Sequence, residues 1–511
     1  MISAPSLEIA VLVLGAIVLM CESFFPKMDR RDLAFAAIAG LAAILIGSFF
    51  LAPFLPNTHA AGFWQFYTAD PLAIFFKRFA LLTTILVLIM MIDYAPVLRQ
   101  FAPSDSQTGL GEFFALPVFT CAGLMYMASA IDFIMIFVSL ELVTISFYVL
   151  VSFTRRNPIT LEAGVKYLVL SALSTGFLVY GITWIFGATG QTNLQQIGAA
   201  LAGPGVEPGP ALLGIVLVLV GLGFKIAAVP FQLWVPDVYQ GAPTPVTAFL
   251  SVGSKAAGFV VLLRVLQPFL IMPRVEKLIV VIAFLTLLYG NLAALPQSNL
   301  KRLLAYSSIA HAGYLLIGVA CVDGRAVTFY LLGYLLMTLL SFAVLIVVAQ
   351  KTGDEITDFD GLSKRSPFLA FAMLIAMASL AGVPFTIGFF GKFLIFMSAI
   401  AHHQTALVVV GAITVACGFY YYLKVVRAMY WQPAPTLDSI PISGLSRLAM
   451  TAMMIAIIWL GVYPRPILKA LDLQSARVTA AQKQASEYHP QISQIYAENN
   501  LKTSQNHGIH R

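Results

Sequence analysis

Fourteen apolar runs follow one another along this chain, most of them close to the roughly 20 residues a helix needs to cross a bilayer. They fall at 7–25, 33–51, 72–92, 113–130, 133–153, 161–186, 211–234, 245–266, 275–295, 303–321, 327–349, 368–400, 407–430 and 448–462. In lipid a backbone amide finds no water, so a spanning segment is a helix or a strand of a closed barrel. None of the runs alternates with period two, which argues against a barrel. Of 511 residues 59% are hydrophobic and 10% charged, against about 25% charged in a soluble domain. The expected fold is an all-α polytopic membrane protein. The first run has no basic segment before it and no small-residue cleavage site, so it reads as a helix and not as a signal peptide.

Charge in the connections sets the orientation. Lys27, Arg30, Arg31, Arg99, Arg155, Arg156, Lys301, Arg302, Lys351, Lys364, Arg365, Arg427 and Arg447 lie in odd-numbered connections or at their edges. The even-numbered connections hold Arg274, Lys277 and Arg325. Odd connections are therefore expected in the cytoplasm of a bacterial cell and both termini outside its plasma membrane. The net charge of +7 reflects this bias and does not point to nucleic acid.

Cofactor signals are missing. Cys21, Cys121, Cys321 and Cys417 stand singly in apolar runs, which supports neither a zinc site nor an iron–sulfur cluster. Gly221 and Gly223 lie inside a spanning run with no strand before them, so they are no dinucleotide fingerprint. The polar stretch 464–511, ending HGIHR, reads as a solvated or partner-covered tail. No cofactor or metal is expected on this chain.

Ionisable residues at membrane depth carry the functional signal. Glu141 lies in the fifth run, Lys225 in the seventh, Lys255 in the eighth, His311 in the tenth and Lys392 in the twelfth. A charge at that depth costs several kcal/mol by the lower estimates and faces the protein interior or a wetted cavity. Interhelix salt bridges are the plain structural alternative. Three lysines against one carboxylate make a poor staple but suit a chain of proton carriers. At about 4 Å and an effective dielectric near 20, a Glu141–Lys225 contact would be worth on the order of 4 kcal/mol, and breaking it would free the proton on Lys225. Other charges carry less: Lys77 and Arg78 are placed to snorkel, Glu162 and Lys166 form an i,i+4 pair, and Lys424 and Arg427, after Tyr420, Tyr421 and Tyr422, read as interfacial anchors.

Pro230 and Pro384 each stand in a Val-Pro-Phe triplet, 154 residues apart. Mid-helix proline breaks a helix, and irregular backbone at depth must line a cavity or be buried in protein. The run 368–400 is also too long for one straight crossing. Runs four to eight and nine to thirteen make two blocks of five, and an odd block repeats with inverted orientation. The expected organisation is a three-helix segment 1–111, five-helix repeats 112–268 and 269–430, a last helix 431–463 and the tail 464–511.

The stretches FKIAAVPFQLWVPDVYQGAPTPVTAFLSVGSKAAGF and LPQSNLKRLLAYSSIAHAGYLLIG resemble the proton-translocating, antiporter-like subunits of respiratory complex I, NADH:quinone oxidoreductase. The resemblance spans essentially all fourteen runs, with these two stretches the most specific. It implies a glutamate on the fifth helix paired with a lysine on a broken seventh, a relay lysine on the eighth, a histidine on the tenth and a lysine or glutamate on a broken twelfth. Glu141, Lys225, Lys255, His311 and Lys392 stand at those positions, and lysine at 392 favours the N-type over the M-type subunit. It further implies FMN, iron–sulfur clusters and quinone in partner subunits, with other antiporter-like and small hydrophobic membrane subunits as neighbours. Two rival readings stay open: a subunit of a multisubunit sodium/proton antiporter, and a purely structural membrane scaffold. Nothing in the chain reads as a quinone site.

Overall fold

The computed structural model describes residues 5–24, 30–51, 53–54, 62–100, 110–203, 205–434 and 438–471. Helices α1 (Ser6–Phe24), α2 (Arg30–Gly47) and α3 (Pro71–Gln100) come first. Then follow α4 (Leu110–Ser129), α5 (Phe133–Val151), α6 (Pro158–Thr189) and a short α7 (Leu194–Ala202). The middle of the chain forms α8 (Pro208–Ile226), α9 (Val235–Gly241), α10 (Thr244–Phe249), α11 (Lys255–Leu266), α12 (Pro273–Ala294), α13 (Leu300–Ala320) and α14 (Gly324–Ala349). The last are α15 (Leu362–Arg365), α16 (Pro367–Ala381), α17 (Ile387–Ala401), α18 (Thr405–Trp431) and α19 (Gly444–Val462).

Among the described residues, 13 helical segments are long and apolar enough to cross a membrane. The pair α16 and α17, 15 residues each, supplies the remaining crossing in two pieces. All fourteen expected runs are therefore helical. The short α7, capped by Asn193, was not foreseen; its nine residues are too few to register as a span.

Contacts between connections show that the crossings alternate. On one face Asp237, after the seventh crossing, meets Lys166 at the start of α6 and Arg302 at the start of α13, at 2.7 and 2.9 Å. On the same face Asn299 bonds Glu355 at 3.1 Å, and Gln350 donates to the Asp93 carbonyl at 2.9 Å. On the other face Arg264 grips Asp70 through two bonds of 2.9 and 2.7 Å, and Thr192 bonds Asp132 at 2.8 Å. Every one of these pairs joins odd connections to odd or even to even. The cation-rich connections thus share one face.

The centre is built from α13, α14 and the 244–269 span, which are almost entirely enclosed, whereas α1, α2 and α6 turn most of their surface outward. Small residues allow it. Without a hydrophobic force between helices in lipid, close backbone approach does the packing. A methyl group on Gly290 of α12 would collide with the Ala310 backbone of α13, and one on Gly313 would come within 2.8 Å of the Leu287 nitrogen.

Lys77 departs from its expected place. It does not snorkel: it is 0% exposed and pairs with the equally enclosed Glu8 of α1 at 2.8 Å, while the Tyr67 hydroxyl accepts from Lys77 and donates to Glu8 at 2.9 Å. The carboxylate that attracts it lies 69 residues upstream, beyond the reach of local pattern. Removing one partner of a buried pair leaves an uncompensated charge, at a cost of about 3–5 kcal/mol, whereas replacing both is often neutral. Glu8→Gln is therefore expected to lower the yield of folded protein in a thermal-aggregation assay, and Glu8→Gln with Lys77→Met to restore most of it.

Candidate functional site

Both Val-Pro-Phe triplets break their helices, and both breaks have the same hydrogen bonding. α8 ends on Ala227 in the left-handed region (φ 63°), with the amide of Ala228 bonded to the Gly223 carbonyl at 2.8 Å. α16 ends on Gly382 (φ 93°), with the amide of Val383 bonded to the Ala378 carbonyl at 2.9 Å. This is the left-handed C-cap that closes a helix when proline prevents its continuation. Each break leaves helix-end carbonyls without intrahelical partners in the interior, where the partial charge is negative.

One lysine adjoins such an end and another is bonded to one. Lys225 lies in the last turn of α8 and Lys392, on α17, donates to the carbonyls of Leu380 and Ala381 at the end of α16, at 2.8 and 2.9 Å. Lys392 also lies over the Tyr314 ring, 5.0 Å from its centroid, a favourable place for an ammonium. The α16–α17 approach depends on Gly388, where a methyl group would collide with the Ser379 carbonyl. Lys255 follows a π-helical turn, Leu250–Ser254, a feature frequent at functional sites. Its ammonium donates to the Ser308 carbonyl at 2.6 Å and to the Ser308 hydroxyl. Lys225, Lys255, His311 and Lys392 are all buried.

The expected Glu141–Lys225 contact is replaced by a different arrangement. Among the described residues no ion pair joins them: Lys225 donates to the Thr144 hydroxyl, one turn beyond Glu141 on α5, and Thr175 of α6 donates to Glu141 at 3.0 Å. Glu141 is only partly buried and lies in the exposed α5 stripe of Ile134, Val138, Ile145 and Val149.

Hydroxyl groups that the sequence reading did not single out surround these charges. Ser308 also accepts from Tyr334 at 2.8 Å and lies 3.3 Å from the Tyr239 hydroxyl. His311 has a tyrosine on each nitrogen, with Nδ1 2.7 Å from the Tyr330 hydroxyl and Nε2 3.1 Å from that of Tyr422, which in turn meets Ser307. Of the three consecutive tyrosines on α18 only Tyr420 faces outward, while Tyr421 and Tyr422 are buried. A helix turns about 100° per residue, so three adjacent side chains cannot share one face; that was the available signal.

At the cation-rich face, Lys166 holds both its expected partner Glu162 and Asp237, each at 2.7 Å. Burial alone would raise the Asp237 carboxyl, but bonds from Lys166 and Arg302 outweigh it and hold the group below the usual carboxylate range. Lys301 is buried rather than free in a connection, donating to the Ala242 carbonyl at 2.9 Å. Lys424 donates to the Gln297 carbonyl at 2.9 Å. Arg264, which the sequence reading passed over, is nearly enclosed against Asp70. The HGIHR end of the tail lies outside the described residues.

A bundle of fourteen crossings with buried lysines beside two broken helices defines an antiporter-like membrane subunit. Residues 130–418 match the family described as NADH:quinone oxidoreductase/Mrp antiporter, TM. The chain is 39% identical over 475 residues to NADH-quinone oxidoreductase subunit N of Desulforamulus reducens, covering 91% of this chain and 96% of the relative. It is 40% identical over 450 residues to subunit N of Heliobacterium modesticaldum, covering 86% and 92%. A chain of respiratory complex I from Thermus thermophilus superposes with TM-score 0.76 at 33% identity, covering 91% and 98%. A chain of the Mrp complex from Dietzia shares the fold, with TM-score 0.77 at 20% identity, covering 92% and 97%. The chain belongs to the NADH-quinone oxidoreductase subunit N family.

Gly388→Ala is expected to separate α17 from the end of α16 and remove the carbonyls from Lys392. Melting of the purified protein should fall by several degrees, a shift typical of about 1–3 kcal/mol of overpacking; an unchanged melting curve would show that the two helices tolerate separation.

Proposed function

We propose that this chain is a proton-translocating membrane-arm subunit of NADH:quinone oxidoreductase, with Glu141, Lys225, Lys255, His311 and Lys392 as its proton carriers. The observation that carries the reading is the solvation of the three lysines. Each ammonium is held by neutral hydroxyls or carbonyls and by no carboxylate in contact among the described residues. A lysine so held can release its proton without abandoning a buried counter-charge. In this reading Lys225 exchanges its Thr144 contact for Glu141 as it loads and returns as it unloads. Lys255 and His311 relay the proton, and Lys392 passes it on.

The two five-helix blocks, 112–268 and 269–430, are then inverted repeats with equivalent helix breaks, and the identical caps at Ala227 and Gly382 support that division. Glu141 lies half-buried in an apolar exposed stripe, and a carboxylate facing hydrocarbon is expensive. We therefore place another membrane subunit of the complex, antiporter-like or small and hydrophobic, against α5. Electron transfer through FMN, iron–sulfur clusters and quinone belongs to partner subunits. Relatives named subunit N at 39–40% identity favour this reading over a sodium/proton antiporter subunit.

The location is the bacterial plasma membrane, with the cation-rich face in the cytoplasm and both termini outside. An impermeant thiol reagent added to intact cells is expected to miss cysteines introduced beside Arg155–Arg156 or Lys364–Arg365. Efficient labelling there would reverse the orientation.

Lys225→Met keeps the length and apolar stem but carries no proton. In the assembled complex, quinone reduction and proton pumping are expected to fall together. Electron transfer from NADH to an artificial acceptor at the flavin is expected to continue, with assembly checked by native gel. Full pumping in an assembled Lys225→Met complex would favour the scaffold reading.

A further inference from the structure

The histidine between the lysines has an arrangement that a simple acceptor does not need. Both ring nitrogens of His311 are engaged, and by hydroxyls from different helices: Tyr330 of α14 at 2.7 Å on Nδ1 and Tyr422 of α18 at 3.1 Å on Nε2. Tyr422 continues to Ser307 on α13. Four exchangeable groups from three helices thus form one unbroken line, Ser307–Tyr422–His311–Tyr330, closed off from solvent. The inner edge of the Tyr330 ring lies against Gly391, the chain neighbour of Lys392; a methyl group on Gly391 would collide with Cδ2 of that ring. Ser307 is the chain neighbour of Ser308, which holds Lys255.

Lys255 lies over the Tyr334 ring and Lys392 over the Tyr314 ring, both rings packed against His311, and among the described residues no carboxylate is bonded to the imidazole. A third positive charge in a closed apolar interior, between two ammonium groups, is the worst-placed charge in the path. Neutral imidazole avoids it, because one nitrogen donates while the other accepts, and the partner on each side fixes the tautomer.

We infer that Tyr330 and Tyr422 are relay residues, and that His311 passes the proton by exchanging tautomers between them, neutral before and after each transfer. This rests on the proton-translocating reading above. In the starting state Nδ1–H donates to the Tyr330 oxygen and Nε2 accepts from Tyr422. A proton arriving on the Ser307 oxygen displaces the hydroxyl proton of Ser307 onto Tyr422. The hydroxyl proton of Tyr422 moves to Nε2, the Nδ1 proton moves to Tyr330, and Tyr330 releases its own hydroxyl proton. Each step forms one O–H or N–H bond and breaks one, so a single proton enters and a single proton leaves. The ring is left as the opposite tautomer and the hydroxyls are reversed. They must reset before the next transfer, which makes the line carry one proton at a time.

The test uses the assembled complex with Tyr330→Phe, Tyr422→Phe and the double variant, each removing hydroxyls while keeping the rings. Each single change is expected to slow coupled quinone reduction and pumping by about a hundredfold or more, the scale of losing one proton-transfer group. NADH oxidation by an artificial acceptor is expected to stay at the wild-type rate. The double variant is expected to be no slower than the slower single, because a line broken once is already broken; separate packing roles would instead multiply. Should one variant fail to assemble, the other single carries the same test. His311→Gln separates the two readings. If it pumps at the wild-type rate, His311 is not a carrier and the proton path itself is misassigned. If it is inactive while both tyrosine variants pump normally, the path stands and the tautomer relay is overturned.

Discussion

A lysine in hydrocarbon must be paid for by its surroundings, and how that is done divides the buried cations of this protein into two kinds. Lys77 is held by a carboxylate, Glu8, and by Tyr67. Losing its proton would leave an ionised carboxylate buried with no cation, so this pair is a fixed charge and holds α1 to α3. Lys225, Lys255 and Lys392 are held by hydroxyl and carbonyl dipoles. A dipole stabilises the ammonium but carries no net charge, so deprotonation leaves nothing uncompensated behind. The same residue type is a staple in one place and an exchangeable group in the others.

The dipoles that hold Lys392 come from a departure from regular helix. A helix end leaves carbonyls without an intrahelical partner, whereas Lys255 shares the Ser308 carbonyl within the unbroken α13. The caps at Ala227 and Gly382 end two helices inside the bundle, and the freed carbonyls of Leu380 and Ala381 go to Lys392. The π-helical turn before Lys255 is a third local departure. The capping residues Ala227 and Gly382 are buried, while Pro230 and Pro384 just beyond them lie at the exposed surface of this chain. The helical scaffold is held by small residues, which let α12 and α13 approach closely at Gly290 and Gly313.

Much of this was legible in the amino-acid order. Membrane crossings are announced by length and apolarity, because lipid forces each segment to satisfy its own backbone, and all fourteen were found. Glu141, Lys225, Lys255, His311 and Lys392 stood out because ionisable residues are rare at that depth, and the two prolines marked the breaks. The Glu162–Lys166 pair was readable because i and i+4 side chains meet on any helix.

What the sequence left open was the identity of each partner. Thr144 rather than Glu141 holds Lys225; Ser308 holds Lys255; Tyr330 and Tyr422 flank His311; Glu8 reaches Lys77. Threonine, serine and tyrosine are common in spanning helices and carry no depth penalty that would mark them out. Their roles arise from which faces of helices far apart in the chain are turned toward one another. Sequence alone determined that the chain must be a bundle of crossings with charges inside it, because the solvation cost of a charge or a bare amide in lipid depends on the residue and its depth. Tertiary structure decided which dipole meets which charge, because a hydrogen bond is set by a few tenths of an ångström between groups that sequence distance does not relate.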